Sequence, residues 1–238
     1  MANYVAVDKD QLEADLTTVA DAIRAKTGAI RKLAFPDGMA AAVASIQGGG
    51  DGGNTMWQEL VTRTISGGIV DSTMTAIGYY AFAGCEHITS AEFTAAKSLG
   101  GMAFGSCTGL TNVDFPVAAS IGANAFYGCT GLTNVDFPAV TSIGSDVFHY
   151  CTNLSVLVLR TLNQCSLEGA TAFAGTQFDS GKSGGKLLVP AALVESYKTG
   201  SRWSYIYGYG TNKFLPLEEY TVDGTVTGAL DWDKINAA

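Results

Sequence analysis

The chain has 238 residues, of which 15% are charged and 29 are glycines, and its formal net charge is −8 at pH 7. This glycine content disfavours a helical bundle, and the apolar fraction of 47% disfavours disorder; the acidic balance disfavours nucleic-acid binding, which needs clustered Lys and Arg. No membrane insertion is predicted, because no apolar run reaches the length of a span, and the start MANYVAVDKDQLEADL lacks the basic and apolar regions of a secretory signal.

Residues 1–47 predict a small helical module that attaches the protein to a larger assembly. An amphipathic helix is predicted over 9–27 and a second short helix over 39–47. The apolar stripe of the first helix fits either the seam of a homo-oligomer such as a trimer or packing on the second helix of the same chain. Residues 48–55 contain GGGDGGN and predict a flexible linker. The stripe comprises Leu12, Leu16, Val19 and Ile23.

A 22-residue repeat occupies the middle of the chain. The decapeptide CTGLTNVDFP occurs at 107–116 and returns at 129–138. Apolar columns recur at this interval through four copies, a pattern typical of a leucine-rich-repeat solenoid, in which each coil shares a core with its neighbours. The columns include Phe82, Phe104, Phe126 and Phe148; Cys85, Cys107, Cys129 and Cys151; and Ile88, Leu110, Leu132 and Leu154.

Each repeat predicts one strand of a narrow parallel sheet, followed by short turns or 3₁₀ segments. Within the decapeptide, Val113 and Phe115 are expected to point inward, because alternate residues of a strand face opposite sides. We expect the solenoid to cover residues 56–179, with an imperfect first coil at its start. A closing cap is expected over 180–220. The remainder, 221–238, contains an Asp-Gly pair between β-prone triplets and predicts a small hairpin.

The repeat consensus T-S-I-G-x-x-A-F-x-G-C-T-x-L-T-x-V-x-F-P, which covers about 75–161, resembles the BspA-like leucine-rich repeats of bacterial surface proteins and phages. The segments AFAGTQF (172–178) and KLLVPAALVESYKTGSRW (186–203) resemble the closing cap of those proteins. Residues 16–46 look like a short module that recurs in tail-associated proteins of phages and prophages of gut Firmicutes.

Together these resemblances imply a non-enzymatic protein of the phage tail or tail fibre, located at the host-facing end of the virion. Residues 1–47 would then bind other tail proteins, and the solenoid would recognise a bacterial surface protein or glycan during host attachment. Two alternatives stay open. The chain could be a bacterial cell-surface adhesin of the BspA-like type, or a structural tail spacer that binds no ligand.

The residue types that usually carry chemistry predict no catalytic residue, no metal site and no cofactor. Four cysteines share one repeat position and lack the C-x₂₋₄-C spacing of zinc sites, so they are predicted to be buried thiols. Neither His87 nor His149 has a nucleophile with a matching acid nearby in the sequence.

The outward strand positions supply the first set of candidate ligand-binding residues. Glu92, Asp114 and Asp136 fall in one column, where their carboxylates could attract a basic partner or a cation. Asn112 and Asn134 fall in the neighbouring column, whose amides suit a sugar or a peptide backbone. The alternative is a solvated face on which the repulsion between the acids is tolerated.

A second set of candidates is the stretch RWSYIYGYG at 202–210. Its aromatic residues alternate, so an extended strand would place all of them on one side, where exposed rings could bind a sugar or a protein. The alternative is that the tryptophan seals the last coil. The residues are Trp203, Tyr205, Tyr207 and Tyr209.

Overall fold

The computed structural model describes the repeat region and most of the C-terminal part of the chain. The described residues are 63, 65–169, 171–179, 182, 184–200, 202–208 and 213–238. The predicted N-terminal helices and the glycine-rich linker therefore lie outside the described residues. Ser66–Ala238 form one compact unit, and the following account concerns that unit.

The strands of this unit form three parallel sheets, with orders β1-β2-β4, β3-β5-β7-β9 and β6-β8-β10-β11. Their bounds are Gly67–Asp71 (β1), Ile88–Phe93 (β2), Ser98–Leu99 (β3), Asn112–Asp114 (β4), Ser120–Ile121 (β5), Asn134–Phe137 (β6), Ser142–Ile143 (β7), Val156–Leu159 (β8), Ser166–Leu167 (β9), Lys186–Val189 (β10) and Lys213–Pro216 (β11).

Successive coils stack in the register that the repeat predicts. Asn112 of β4 pairs with Ser90 of β2, and Ser120 of β5 pairs with Ser98 of β3, so each residue pairs with its equivalent in the preceding repeat. The chain thus forms a parallel β-solenoid of about five turns with one repeat per turn, as the sequence predicts. Each coil contributes one longer strand to one side and one two-residue strand to the other.

Two columns of phenylalanine fill the interior of the solenoid. Phe126 is fully buried, and its ring is nearly parallel to those of Phe104 and Phe148, with centroids 5.6 Å away on both sides. A second column, which includes Phe115 and Phe137, packs against the first. The identical decapeptides therefore supply identical core positions to adjacent coils. Burying whole phenylalanine side chains is the largest favourable contribution that each repeat makes.

Tight turns separate the strands and limit which residues the repeat accepts. A Cβ on Gly122 would lie 2.7 Å from the backbone nitrogen of Gly101, so this position needs glycine for the coils to approach each other. Another turn position has a φ between 54° and 59° in four coils, a left-handed conformation that favours asparagine and aspartate. It is occupied by Tyr80, Met102, Asn124 and Asp146.

The fifth coil is longer than the others but keeps the core. The repeat period would place the next short strand at position 164 and the next core phenylalanine at position 170, whereas β9 begins at Ser166 and the phenylalanine is Phe173. The rings of Phe148 and Phe173 still stack, with centroids 5.4 Å apart. Most of the added chain therefore lies before β9, where Leu162 is 75% exposed. The break in period is an outward insertion and not the end of the stack.

The C-terminal part of the unit contributes short helices. Its α-helices are Val194–Thr199 (α1), Trp203–Gly208 (α2) and Trp232–Ala237 (α3), and 3₁₀ turns occupy Ala191–Leu193 and Leu217–Tyr220. Within the described ranges, none of the helices has the length and apolar character that crossing a bilayer requires.

The prediction that RWSYIYGYG is extended is wrong, because Trp203–Gly208 are helical. Successive helical residues point about 100° apart, so Trp203 and Tyr205 do not share a face as they would in a strand. Trp203 is 1% exposed and its indole N–H donates to the Cys165 carbonyl at 2.7 Å, whereas Tyr205 is 60% exposed. The alternative that Trp203 seals the last coil is therefore confirmed. The Tyr207 side chain and Tyr209 lie outside the described residues.

Candidate ligand-binding groove

The end of the chain, 221–238, which we call the C-terminal segment, folds back over the solenoid. Thr221 and Leu230 form an antiparallel bridge, and the Val222 N–H donates to the Ala229 carbonyl at 2.8 Å. This loop corresponds to the predicted hairpin, reduced to a single bridge. The helix α3 follows it and was not predicted, because so short a helix does not show an apolar period.

The C-terminal segment covers the outward side of β8 and β10 with an apolar cluster. Val158, Leu188 and Ile235 are fully buried there, together with Val156 and Leu217. At the same repeat positions the preceding coil has Asn134 and Asp136, which pair with Val156 and Val158. The exchange of polar for apolar residues thus occurs where the segment packs. The side chains packed around this cluster are Leu215, Tyr220, Val226 and Leu230.

Basic side chains attach the segment to the sheet through backbone carbonyls. The Arg160 Nη1 donates to the carbonyls of Val226 at 2.6 Å and Gly228 at 2.9 Å. The remaining nitrogens of Arg160 donate to both carboxylate oxygens of Asp136, at 2.7 to 3.1 Å. Lys186 Nζ donates to the Ile235 carbonyl at 2.6 Å, near the C-terminal end of α3, where a helix favours a cation.

A groove runs along the line where the segment meets the exposed part of the sheet. Its floor is polar, with the Asn112 amide and the Ser155 hydroxyl, and its wall is formed by α3, with Trp232 and Asn236. The cavity measures about 500 Å³, within the size range of small-ligand sites. A further part of about 340 Å³ extends past Trp232 to the Asp136–Arg160 pair. The full lining of the larger part is Asn112, Thr133, Asn134, Ser155, Val156, Trp232 and Asn236.

The position of Trp232 in the wall follows from how α3 begins. Asp231 is the N-cap, and its carboxylate accepts the Lys234 backbone N–H at 3.0 Å. Trp232 is therefore the first helical residue, on the turn next to the sheet, and it is 38% exposed. A partly exposed indole beside amide and hydroxyl groups provides an apolar surface and hydrogen-bonding groups to one ligand.

The structure brings together part of the predicted site. Glu92 pairs with Asp114 across β2 and β4, and Asp136 pairs with Val158, so the predicted columns exist. Asn112 and Asn134 both line the groove. Asp136 is not a free carboxylate, because Arg160 holds it in an ion pair at 2.7 Å.

Several residues of the groove were not among the candidates predicted from the sequence. Four of them lie just before β8, just after it and in α3, so no sequence motif joins them. One signal was present in the repeat itself, since the outward column changes from Asn and Asp to Val at β8. That change indicates that another part of the chain covers this strand. The residues are Ser155, Arg160, Trp232 and Asn236.

The cysteine column lies in the core, away from the groove. All five cysteines of the chain are buried and present as thiols. The Cys129 Sγ donates to the Phe104 carbonyl at 3.0 Å, and Cys151 does the same to Phe126 at 2.9 Å. Burial raises the pKa of Cys129 well above its usual value and raises the pKa of Cys165 to about 12. Thiols in this state are poor nucleophiles and poor metal ligands.

Metal chemistry finds no support in the described ranges, since no cluster of three His, Cys, Asp or Glu side chains there could hold an ion.

Comparison with known proteins finds a family model that matches the repeat region. Residues 67–182 match the family model of the BspA type leucine rich repeat region, in six copies. Among curated proteins, none matches the chain.

Three solved structures are similar to parts of the chain. A leucine-rich repeat protein of T. pallidum is 23% identical with a TM-score of 0.40, and the match covers 51% of this chain and 64% of that one. A leucine-rich cell surface protein of Faecalibacterium prausnitzii A2-165 is 20% identical with a TM-score of 0.38, with coverages of 56% and 45%. A leucine-rich repeat protein of Bacteroides ovatus is 24% identical with a TM-score of 0.34, with coverages of 51% and 37%. The chain thus spans less than two thirds of each.

Proposed function

Because residues 67–182 are a BspA-type leucine-rich repeat region, we propose that this protein is a surface-displayed binding protein that takes an uncharged glycan in the groove beside the C-terminal segment. The observation that carries the proposal is the groove itself. Exposed amide and hydroxyl groups on the sheet lie next to the indole of Trp232 in a cavity of about 500 Å³.

The chemistry of the lining favours a sugar over a charged ligand. The floor residues Asn112, Asn134 and Ser155 carry no charge, and each can bond a hydroxyl or an acetamido group. Arg160 already neutralises Asp136, and the Arg160 side chain is only 11% exposed, so it presents little positive charge to an anion. The apolar face of a sugar ring can lie on the indole of Trp232 while its hydroxyls reach the floor.

The acids of the neighbouring coils add a long-range preference. Glu92 and Asp114 continue the outward column beyond the groove, and Asp114 is exposed. With a net charge of −8, the protein repels acidic polysaccharides and attracts basic surfaces, and a neutral glycan meets no such repulsion. Added salt would weaken this attraction without removing contacts in the groove.

The test compares two groove variants with a control on the solenoid surface. Trp232→Ala and Asn134→Ala are titrated with soluble muramidase digests of bacterial cell walls and with a panel of neutral oligosaccharides, by calorimetry. Trp232→Ala should weaken binding at least tenfold, because a stacking tryptophan is worth ~2 kcal/mol or more at a binding site. Val117→Ala, at a 44% exposed position elsewhere on the solenoid, should bind like the parent protein.

Two results would contradict the proposal. Equal affinities of the parent and Trp232→Ala for every sugar that binds would remove the groove as the site. Absence of binding to all wall fragments and oligosaccharides would remove glycans as the ligand class. Thermal unfolding of each variant is measured in parallel, so that loss of the C-terminal segment is not mistaken for loss of a contact.

The carrier that we propose is a phage tail, with residues 1–47 as the attachment module. Its support is the resemblance of residues 16–46 to tail-associated modules. The alternative carrier is a bacterial cell surface, on which BspA-like repeats also occur, and a tail spacer without ligand would be the outcome if the groove binds nothing. Mass spectrometry of purified virions and of cell-wall fractions separates the two carriers.

A further inference from the structure

Three aromatic rings meet at the turns that follow the short strands β5 and β7, remote in sequence from the groove wall. His149 and Tyr150 have centroids 4.2 Å apart, and Tyr127 lies 5.5 Å from His149 and 5.6 Å from Tyr150. The Asp146 carboxylate lies 3.3 Å from Nδ1 of His149. We call these four residues the turn-edge cluster.

The repeat does not require an aromatic residue at position 150. In every described coil this turn position has a left-handed backbone, with φ between 60° and 79°. Such a φ suits glycine and is unfavourable for a bulky side chain. Tyr150 is nevertheless the residue at φ 61°, and it is 52% exposed, so burial in the core does not account for it. The residues along this position are Gly84, Ser106, Gly128, Tyr150 and Gly175.

The neighbouring repeat position shows the same departure. It holds small residues in three coils, namely Ala83, Gly105 and Ala174, whereas Tyr127 and His149 occupy it in the two coils between. The three rings are therefore additions to the surface of two adjacent coils, where the architecture itself favours alanine and glycine. Residues that depart from the repeat on an exposed surface are candidates for a functional site.

The ring of Tyr150 is held with one side against the protein. A Cβ on Gly175 would lie 2.9 Å from Cδ1 of Tyr150, so the ring rests on this glycine of the next coil. Because Tyr150 is 52% exposed although Tyr127 and His149 contact its ring, part of the ring is open to solvent. The Asp146 and His149 side chains beside it are 30% and 25% exposed and offer polar atoms at the rim.

We propose that the turn-edge cluster is a second binding surface, distinct from the groove, and that its ligand is a carbohydrate. The open ring of Tyr150 presents an apolar face that suits the C–H face of a sugar, and the Asp146 carboxylate can accept hydrogen bonds from its hydroxyls. A stable protein interface buries ~800 Å² on each partner, so a protein ligand would have to contact many residues beyond these three rings. The cluster shares no residue with the groove.

The repeat itself supplies the variant that tests this proposal. Tyr150→Gly places in the turn the residue that three other coils have there, so the fold is expected to keep or raise its melting temperature. The parent protein, Tyr150→Gly and Tyr127→Ala are applied to a printed array of neutral oligosaccharides, and affinities for the bound sugars are measured by calorimetry. The matched control is Tyr79→Ala, which removes a tyrosine that is 66% exposed in another coil.

We expect the parent protein to bind sugars on the array for which Tyr150→Gly and Tyr127→Ala each lose at least tenfold in affinity, while Tyr79→Ala retains it. Unchanged binding by Tyr150→Gly would overturn the proposal, and so would an array on which the parent binds nothing. The proposal that the groove binds glycans is tested separately: it would be contradicted if Trp232→Ala bound every sugar with the affinity of the parent protein.

Discussion

The outward strand positions of β2 and β4 differ sharply from those of β8 and β10, although both belong to the same repeated coil. In the first region Glu92 and Asp114 point outward, and in the second Val158 and Leu188 lie at equivalent places and are fully buried. The backbone pairing is parallel and regular in both regions. The polarity of the residue at an outward position thus follows its environment: it is polar where the strand faces water and apolar where the C-terminal segment covers the strand. The groove lies at the boundary between the exposed strands and the covered strands.

The largest expected effect comes from making the covered region resemble the exposed one. Val158→Asp restores the residue that the repeat has at positions 114 and 136. It should lower the free energy of unfolding by ~3–5 kcal/mol, because it buries an unpaired carboxylate in an apolar cluster or displaces the segment that covers it. Urea unfolding followed by circular dichroism measures the change.

The reciprocal substitution is the control. Asp114→Val makes the same exchange in the exposed region and should change the free energy of unfolding by no more than ~0.5 kcal/mol, as is usual for a surface position. If Val158→Asp and Asp114→Val lowered the free energy of unfolding by the same small amount, the C-terminal segment would not cover β8, and the distinction between a covered and an exposed region would be wrong.

The two regions also differ in how far sequence reasoning reaches. Repetition made the coils predictable, because Phe126 and its equivalents recur at a fixed interval and each coil makes the same contacts with the next. The C-terminal segment has no repeat, and its contacts join residues far apart in the chain. Trp232 and Arg160 therefore could not be linked to Asn134 from the sequence, although the valines of β8 indicated that something covers them.

Local pattern was misleading at the cap. The alternating aromatic residues after Trp203 have the period of a strand, yet burial of the indole against Cys165 and Tyr197 is compatible with a helix there. Tertiary contacts decided the conformation of these few residues, as is common for short segments. The two asparagines of the groove were predicted because the repeat placed them outward, whereas the wall opposite them was not.

A second prediction tests whether the Asp136–Arg160 pair holds the covered region together. Arg160→Ala removes donors to the Asp136 carboxylate and to the carbonyls of Val226 and Gly228. We expect a loss of ~2 kcal/mol, because hydrogen bonds to charged groups are worth more than neutral ones and Arg160 is nearly buried. Glu195→Gln, which removes an exposed pair with Lys198, should cost ~0.5 kcal/mol or less.

Hydrogen exchange separates this loss from general destabilisation. In Arg160→Ala the amides of Val222 and Asp231, which close the loop of the C-terminal segment, should exchange faster. The Phe126 amide donates to the Val147 carbonyl inside the repeat. Its exchange rate should not change under conditions in which exchange proceeds by local opening and not by global unfolding. Equal acceleration at both places would mean that the segment and the coils unfold as one unit.

The smallest expected effect concerns a property that the two regions share. Cys129 lies in the repeat and Cys165 beside the cap, and burial raises the pKa of both thiols, that of Cys165 to about 12. The folded state keeps these protons at a pH where the unfolded chain has released them. The stability from each thiol is thus complete below the unfolded pKa, ~8.5, and is lost as pH rises toward the folded pKa. The slope is ~1.4 kcal/mol per pH unit for each thiol within that window.

Replacing either cysteine by alanine should therefore make stability less sensitive to alkaline pH by the same amount. Between pH 9 and pH 10, under reducing conditions, urea unfolding of Cys129→Ala and Cys165→Ala should each show a decline that is smaller than the parent's by ~1.4 kcal/mol. At pH 7 both losses should be small, because the Phe104 carbonyl keeps its bond from the Cys107 N–H after Cys129→Ala, and the Cys165 thiol makes only a long bond of 3.5 Å to the Ser166 carbonyl. Equal differences from the parent would show that burial sets the protonation of both thiols. If Cys165→Ala alone kept the parent's slope, water would reach the thiol beside the cap and not the thiol in the repeat.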